Sequence, residues 1–86
     1  MNEHRSEIQI IYDILLFCRN GALKTHIVYK CNLNFKIIAK YLEKLIEKGL
    51  LSLMGDNKYY TESPKGFQFI VSFENMMSII GEDIIE

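Results

Sequence analysis

Residues 25–49 read THIVYKCNLNFKIIAKYLEKLIEKG. In the second half of this stretch apolar residues recur at three- and four-residue steps, which predicts a helix over 35–48. Asn34 is a favourable N-cap for this helix, and Gly49 is typical of the residue just after a helix end. The side chains expected to face the core are Phe35, Ile38, Leu42, Leu45 and Ile46.

The first half of the stretch predicts a second, shorter helix over 26–31, with Thr25 as its cap. Asn32-Leu33-Asn34 then forms a tight turn, because asparagine tolerates the left-handed conformation and Leu33 can fill the angle between two helices. Two short helices joined by such a turn are a helix-turn-helix candidate.

The flanking segments extend this unit. A helix is expected over 6–20 with Ser6 as its cap, followed by an extended link over 21–23. Two strands over 50–54 and 58–61, joined by Gly55-Asp56-Asn57, predict a hairpin. A fourth helix is expected over 63–81, capped by Ser63. The prediction is an α+β winged helix-turn-helix with three helices, a two-stranded wing and an added C-terminal helix.

With 86 residues the chain is expected to form a single domain over 1–86, with its core over 6–62. The helix over 63–81 is apolar on more than one side, so a monomer would expose part of it. We therefore predict a homodimer in which this helix and the first helix form the interface. The interface residues expected on the last helix are Phe73, Met76, Met77 and Ile80.

The net charge of −1 conceals a division along the sequence. From Arg19 to Lys65 there are nine basic residues and four acidic ones, whereas the flanks hold one base and seven acids. A basic middle segment indicates an anionic partner.

The sequence holds no glycine-rich phosphate loop, nucleophile elbow or histidine–carboxylate cluster, so no enzymatic activity is expected. Cys18 and Cys31 do not form a CxxC pair, and neither histidine stands at ligand spacing to them, so no metal or other cofactor is expected. Both cysteines are interpreted as small buried residues, with a disulfide left open. No membrane-spanning run, signal peptide or small-molecule site stands out.

Lys24 to Leu33 resembles a string common in small archaeal winged helix-turn-helix proteins, Lys-Thr-x-Ile-x-Tyr-x-x-Asn-Leu. Residues 41–51, YLEKLIEKGLL, continue the resemblance into the first strand. Tyr60, Ser63-Pro64-Lys65-Gly66 and Phe69 resemble the family's passage from wing to last helix. The family includes chromatin-like and regulatory proteins that dimerise through the C-terminal helix. The resemblance implies duplex DNA as ligand, with helix 35–48 in the major groove and the wing on the flanking backbone.

Lysines on helix 35–48 support that implication. They recur at four-residue steps, away from the residues expected to face the core. Ion pairs of Lys40 with Glu43 and of Lys44 with Glu47 can form only in the second half of the helix. An ordinary solvated lysine face is the alternative. The residues predicted to contact DNA are Lys24, Thr25, Lys30, Asn34, Lys36, Ile37, Lys40, Tyr41, Lys44 and Lys58.

Several of these residues have a second interpretation. Ile37 either meets a thymine methyl or packs within the protein, and Thr25 either caps its helix or holds a phosphate with the N–H groups that follow it. We expect Tyr41 to pack by its ring and offer its hydroxyl to a phosphate, and Lys58 to give a weak contact from the wing.

The function predicted from the sequence is a homodimeric, double-stranded-DNA-binding transcriptional regulator. It is expected in the cytoplasm, associated with the nucleoid when bound to DNA. Two alternatives stay open: an architectural, chromatin-like DNA binder, and a winged helix that contacts another protein.

Overall fold

The computed structural model describes residues 5–81, and within them the predicted order of helices and hairpin is confirmed. The predicted domain limits at residues 1 and 86 fall outside this part of the chain. The elements between residues 5 and 81 are α1 (Glu7–Phe17), β1 (Ala22–Leu23), α2 (Lys24–Cys31), α3 (Phe35–Glu47), β2 (Leu51–Leu53), β3 (Lys58–Thr61) and α4 (Lys65–Ile80).

The strands form one antiparallel sheet in the order β1-β3-β2. The hairpin of β2 and β3 places Leu51 opposite Thr61. The expected extended link over 21–23 is wrong in one respect, because Ala22 and Leu23 form a third strand, with Ala22 opposite Tyr59. Two residues are too few to show an alternating pattern, so this strand is visible only through its long-range backbone pairing.

The caps of α1 and α3 are confirmed. Ser6 Oγ accepts from the N–H of Gln9 at 3.2 Å, and Asn34 Oδ1 accepts from the N–H of Ile37 at 2.8 Å. Asn32 adopts the predicted left-handed conformation, with φ 56° and ψ 45°, and so turns the chain between α2 and α3. The helix-turn-helix unit therefore forms as its local residues dictate.

The other two predicted caps are wrong. α2 begins at Lys24, which puts Thr25 inside the helix and leaves no side-chain cap hydrogen bond at its start. α4 begins at Lys65, after Pro64 and not after Ser63. In the first case pairing of β1 fixes the chain up to the helix start, so tertiary structure and not capping propensity selects the first residue.

α1 ends at Phe17, earlier than the predicted Asn20, because Gly21 closes a turn by donating its N–H to the carbonyl of Cys18 at 3.1 Å. Gly21 has φ +92°, which favours glycine. A Cβ at this position would stand 2.6 Å from the Tyr60 ring. Its conformation therefore favours glycine, and a larger residue would also have to displace the Tyr60 ring.

The core lies between the helices and one face of the sheet, and Thr61 joins the two by donating its hydroxyl to the carbonyl of Leu15. The prediction that Phe35 and Ile46 face the core is wrong, since Phe35 is 52% exposed and Ile46 is 38% exposed. Phe35 is the first residue of α3, and Ile46 lies about 100° around the helix from the buried Leu45. The fully buried aliphatic side chains include Ile14, Leu15, Ile27, Ile38, Leu42, Leu45 and Leu51.

α4 packs on α1, which changes the expected exposure of the predicted dimer surface. The ring of Phe73 stacks on Tyr12 with centroids 4.2 Å apart, and Phe73 is 9% exposed. The prediction that a monomer would expose Phe73 is therefore wrong. Met77 and Ile80 are half-buried, and Met76 is exposed.

Candidate nucleic-acid interface

The exposed side of α3 carries a row of lysines. Lys36, Lys40 and Lys44 follow one another at four-residue steps, and all three are exposed. Each step advances about 40° around the helix, so the row starts at Lys36 on the side opposite the core and winds toward α1 and α4, where Lys40 and Lys44 line a groove.

These lysines have no acidic partner among residues 5–81. The ion pair formed in this part of the chain joins Arg5 Nη1 to Asp13 Oδ2 at 2.6 Å, on the α1 side of the domain. The ion pairs that the sequence allows between Lys40 and Glu43 and between Lys44 and Glu47 are therefore not formed. Side chains without an internal partner remain available to an external anion.

The first residues of α2 and α3 adjoin one another. Lys24 Nζ lies 5.0 Å from the centroid of the exposed Phe35 ring, a cation–π arrangement. Thr25 and Asn34, at the same ends of the two helices, are also exposed. The Oδ1 atom of Asn34 is used by its capping bond, but its NH2 group can donate elsewhere. The structure thus brings Lys24, Thr25 and Asn34 next to the beginning of the α3 row.

Lys30 lies elsewhere. It lines a groove between α1 and α2 together with Asp13 and Arg19, residues of the opposite flank of the domain. Beside this groove the Arg5 guanidinium donates to the carbonyl of Cys31, at the end of α2. The structure therefore does not bring Lys30 together with the α3 lysines.

Ile37 and Tyr41 lie on the flank of α3 that turns toward α1 and α4. Ile37 is 38% exposed, whereas Tyr41 is half-buried and packs against the core. Burial and, to a lesser extent, the carboxylate of Glu7 raise the pKa of Tyr41. Its ring is packed as expected.

The wing uses the carboxylate of Asp56 internally. The backbone N–H of Lys58 donates to Asp56 Oδ1 at 3.0 Å, and the Tyr60 hydroxyl donates to Asp56 Oδ2 at 2.7 Å. The bond from Tyr60, followed by that from Lys58, holds the pKa of Asp56 below its ordinary value. Lys58, the one base of the wing, is half-buried and lies beside this fixed carboxylate.

Tyr29 is a surface residue that the sequence interpretation missed. Its side chain is 88% exposed. It follows Thr25 by four residues, so both lie on the same exposed side of α2. This i, i+4 relation to a polar residue is the signal that could have identified it.

The groups that other chemistry would need are not assembled between residues 5 and 81. This part of the chain contains no cluster of three or more His, Cys, Asp or Glu side chains suited to a metal ion. Cys18 and Cys31 are buried free thiols, and burial raises their pKa values to about 12 and about 11. No helix in the described range is long and apolar enough to cross a membrane.

A helix-turn-helix unit, a three-stranded sheet ending in a hairpin and a cationic exposed side of α3 together define a winged-helix domain. Comparison with known families agrees, since the model of the winged helix-turn-helix family matches residues 4–81. The chain belongs to this family.

Two individual proteins are similar to the chain. The protein named "Uncharacterized protein MJ0287", from Methanocaldococcus jannaschii, is 32% identical over 62 residues, which are 71% of this chain and 64% of that protein. The chain thus spans a little under two thirds of that relative. The crystal structure of Sso10a-2, a DNA-binding protein from Sulfolobus solfataricus, superposes with a TM-score of 0.73 at 28% identity, over 87% of this chain and 81% of Sso10a-2.

Proposed function

We propose that the chain binds double-stranded DNA by inserting α3 into the major groove. The observation that carries the proposal is the row of Lys36, Lys40 and Lys44, which is exposed and has no acidic partner among residues 5–81. Cations that meet phosphates supply most of the affinity in protein–DNA complexes. Membership of the winged helix-turn-helix family and the similarity to Sso10a-2, itself a DNA-binding protein, support the same ligand.

Individual roles follow from position. Asn34 caps α3 and Ile37 stands in its first turn, and base edges are normally reached from this end of the helix. Asn34 is therefore proposed to donate to a base and Ile37 to contact a thymine methyl. Lys24 and the N–H groups at the start of α2 are proposed to hold one phosphate, because no side chain of the described residues caps that helix. Tyr29, on the same side of α2 as Thr25, is added as a phosphate contact.

The biological role we propose is a homodimeric transcriptional regulator. Three exposed apolar residues of α4, Val71, Met76 and Ile79, are 54%, 43% and 84% exposed, and a second copy would cover them. A two-fold dimer would present two α3 helices to successive major grooves, about 34–36 Å apart. In this proposal α4 is the dimerisation helix, and Phe73 supports it from the α1 side.

The test of DNA binding is a titration of the purified protein against defined and random duplexes at several salt concentrations. Strong preference for one duplex, together with a steep salt dependence, supports a sequence-specific regulator. Equal affinity for all duplexes supports the architectural alternative. No binding even at 50 mM salt contradicts DNA binding and supports the protein-contact alternative.

Dimerisation is tested separately by sedimentation. We expect a dimer at micromolar concentration, and we expect Ile79→Glu to yield a monomer because it places a charge in the proposed contact. Met54→Glu, which puts the same charge on an exposed apolar residue outside α4, is the matched control. A wild-type protein that stays monomeric at this concentration contradicts the dimer.

A further inference from the structure

A groove with a volume of about 450 Å3 lies between α1, α3 and α4. Its apolar surface comes from three helices, with Ile11 on α1, Leu45 on α3 and Phe69 on α4. Cavities of this size with apolar walls typically hold small organic molecules. The groove is therefore large enough for a ligand that buries an apolar body.

One wall of the groove is cationic. Lys40 and Lys44 line it from successive turns of α3, and Lys48 lines it from the position just after the helix. Glu7 lies on the α1 side, close enough to raise the pKa of Tyr41, another lining residue, although burial of Tyr41 contributes more. The three ammonium groups have no carboxylate partner within 4 Å among residues 5–81.

The lining selects the chemistry of the occupant. An inorganic anion would pair with the lysines but leave the apolar walls exposed, and a neutral hydrocarbon would cover the walls but leave the ammonium groups unpaired. A dianion would meet the repulsion of Glu7. A molecule with an aromatic or aliphatic body and one carboxylate fits both parts of the groove.

We propose that this groove is an effector site for a small amphipathic carboxylate and that its occupation weakens DNA binding. The second half of the proposal rests on the proposed DNA-binding function. Lys40 and Lys44 belong both to the groove and to the row that would meet phosphates, so a carboxylate held by them removes two cations from the DNA contact. Because the coupling is reciprocal, DNA lowers ligand affinity by the same factor.

The first experiment measures ligand binding without DNA. 2-Naphthoate is titrated into the full chain labelled at isoleucine and leucine methyl groups, and we expect shifts at Ile11 and Leu45. 2-Naphthamide, the uncharged analogue, should bind at least fivefold more weakly because it cannot form the charged contacts. Shifts confined to methyl groups away from the groove, or equal affinity for both compounds, overturn the site.

Two matched lysine variants separate the groove from the DNA surface. Lys48 lines the groove but is outside the proposed DNA contacts, whereas Lys36 is a proposed DNA contact outside the groove. Lys48→Gln should weaken 2-naphthoate binding about threefold and leave DNA affinity unchanged. Lys36→Gln should leave 2-naphthoate binding unchanged and weaken DNA binding about fivefold. Equal effects of the two variants on ligand binding contradict the assigned wall.

The second experiment repeats the duplex titration with the groove saturated by 2-naphthoate. We expect DNA affinity to fall at least fivefold and the salt dependence to become shallower. Ligand binding at the groove with unchanged DNA affinity overturns the regulatory half alone. Ligand binding with no DNA binding under any condition contradicts the proposed function and leaves the groove assignment standing.

Discussion

α3 and the hairpin of β2 and β3 are neighbours in sequence, and both are predicted to contact DNA, but they use their charged groups differently. On α3, Lys36 and Lys40 are exposed and have no acidic partner among residues 5–81. On the hairpin, Asp56 accepts hydrogen bonds from the Tyr60 hydroxyl and from the backbone of Lys58. The charged side chains of α3 are thus left without an internal partner, whereas the carboxylate of the hairpin is used to order the loop.

The difference shows that net charge along the sequence is a coarse guide to a binding surface. Both regions lie in the basic middle segment, yet the hairpin also uses Glu62 internally, where it accepts from the Ser52 hydroxyl. A carboxylate fixed beside the one base of the wing reduces the attraction of that base for phosphate. Affinity for DNA should therefore be concentrated on α3.

The largest expected effect is that of removing two charges from α3. Lys36→Gln/Lys40→Gln should weaken duplex binding about thirtyfold if each contact contributes ~1 kcal/mol. It should also lower the slope of log affinity against log salt by about 1.8, because two phosphate contacts are lost. Fluorescence anisotropy at several salt concentrations measures both quantities.

The control for this variant is Lys48→Gln/Lys65→Gln, which changes the net charge equally. Lys65 Nζ donates to the carbonyl of Lys48 at 2.7 Å, and neither residue is a proposed DNA contact. We expect less than a threefold loss from this pair. An equal loss in the two double variants would mean that total charge and not the position of α3 controls binding, and unchanged affinity in the first would contradict α3 as the DNA-contacting helix.

The second prediction concerns the close contact between Gly21 and the hairpin. Gly21→Ala should lower the free energy of unfolding by about 2 kcal/mol, because φ +92° disfavours alanine and its Cβ would stand 2.6 Å from the Tyr60 ring. Gly55→Ala is the matched control, since a Cβ at Gly55 would meet nothing within 4 Å. Denaturant unfolding followed by circular dichroism measures both variants, and equal stabilities would contradict the close contact of Gly21 with the hairpin.

These two regions also differ in how far sequence predicts them. Asn34 caps α3 as predicted, because capping depends on the residue and its nearest neighbours. Thr25 does not cap α2, because pairing of β1 with β3 fixes the chain before the helix, and that pairing joins residues far apart in sequence. The exposed lysines of α3 follow from helical periodicity, whereas the exposure of Tyr29 and Phe35 depends on which parts of the chain pack over them in the fold.

The same distinction applies to α4. Its apolar character is plain in the sequence, but which of its sides faces α1 is decided by the stacking of Phe73 on Tyr12 and by the bond from the Tyr12 hydroxyl to Glu74 at 2.6 Å. That bond, followed by burial, raises the pKa of Tyr12 to about 12. Contacts of this kind join residues that no local pattern relates, so sequence predicts a partly buried helix without predicting its buried side.

The third prediction tests the internal use of Asp56. In Tyr60→Phe the pKa of Asp56 should rise toward its ordinary value of 3.8, because the largest cause of its depression is removed. A depressed carboxyl pKa stabilises the fold above the unfolded-state value and loses that contribution as pH falls through the folded-state value. The pKa of Tyr60 is raised, chiefly by the same bond, so its contribution is present below 10.0 and is lost at higher pH.

The measurement is an NMR pH titration of the Asp56 carboxyl carbon in the wild type and in Tyr60→Phe. The stability advantage of the wild type should accordingly be largest between about pH 5 and pH 9 and fade at both extremes. Tyr59→Phe is the control, because Tyr59 is the preceding residue of β3 and is not bonded to Asp56 in the structure. An identical Asp56 titration in wild type and Tyr60→Phe would contradict the bond.

The smallest expected effect is that of Lys58, the base of the wing. Lys58→Gln should weaken duplex binding less than twofold, since the side chain is half-buried and its field is offset by Asp56 two residues away. Lys36→Gln, a single charge removed from α3, should cost about fivefold in the same anisotropy assay. Asp56→Asn sharpens the comparison, because removing the carboxylate should raise duplex affinity. In the Asp56→Asn protein, Lys58→Gln should then cause a larger loss of duplex affinity than it does in the wild type. If Lys58→Gln and Lys36→Gln weakened DNA binding of the otherwise wild-type protein equally, the division between α3 and the hairpin would be contradicted. A base beside a fixed carboxylate would then bind phosphate as well as a base without an internal partner.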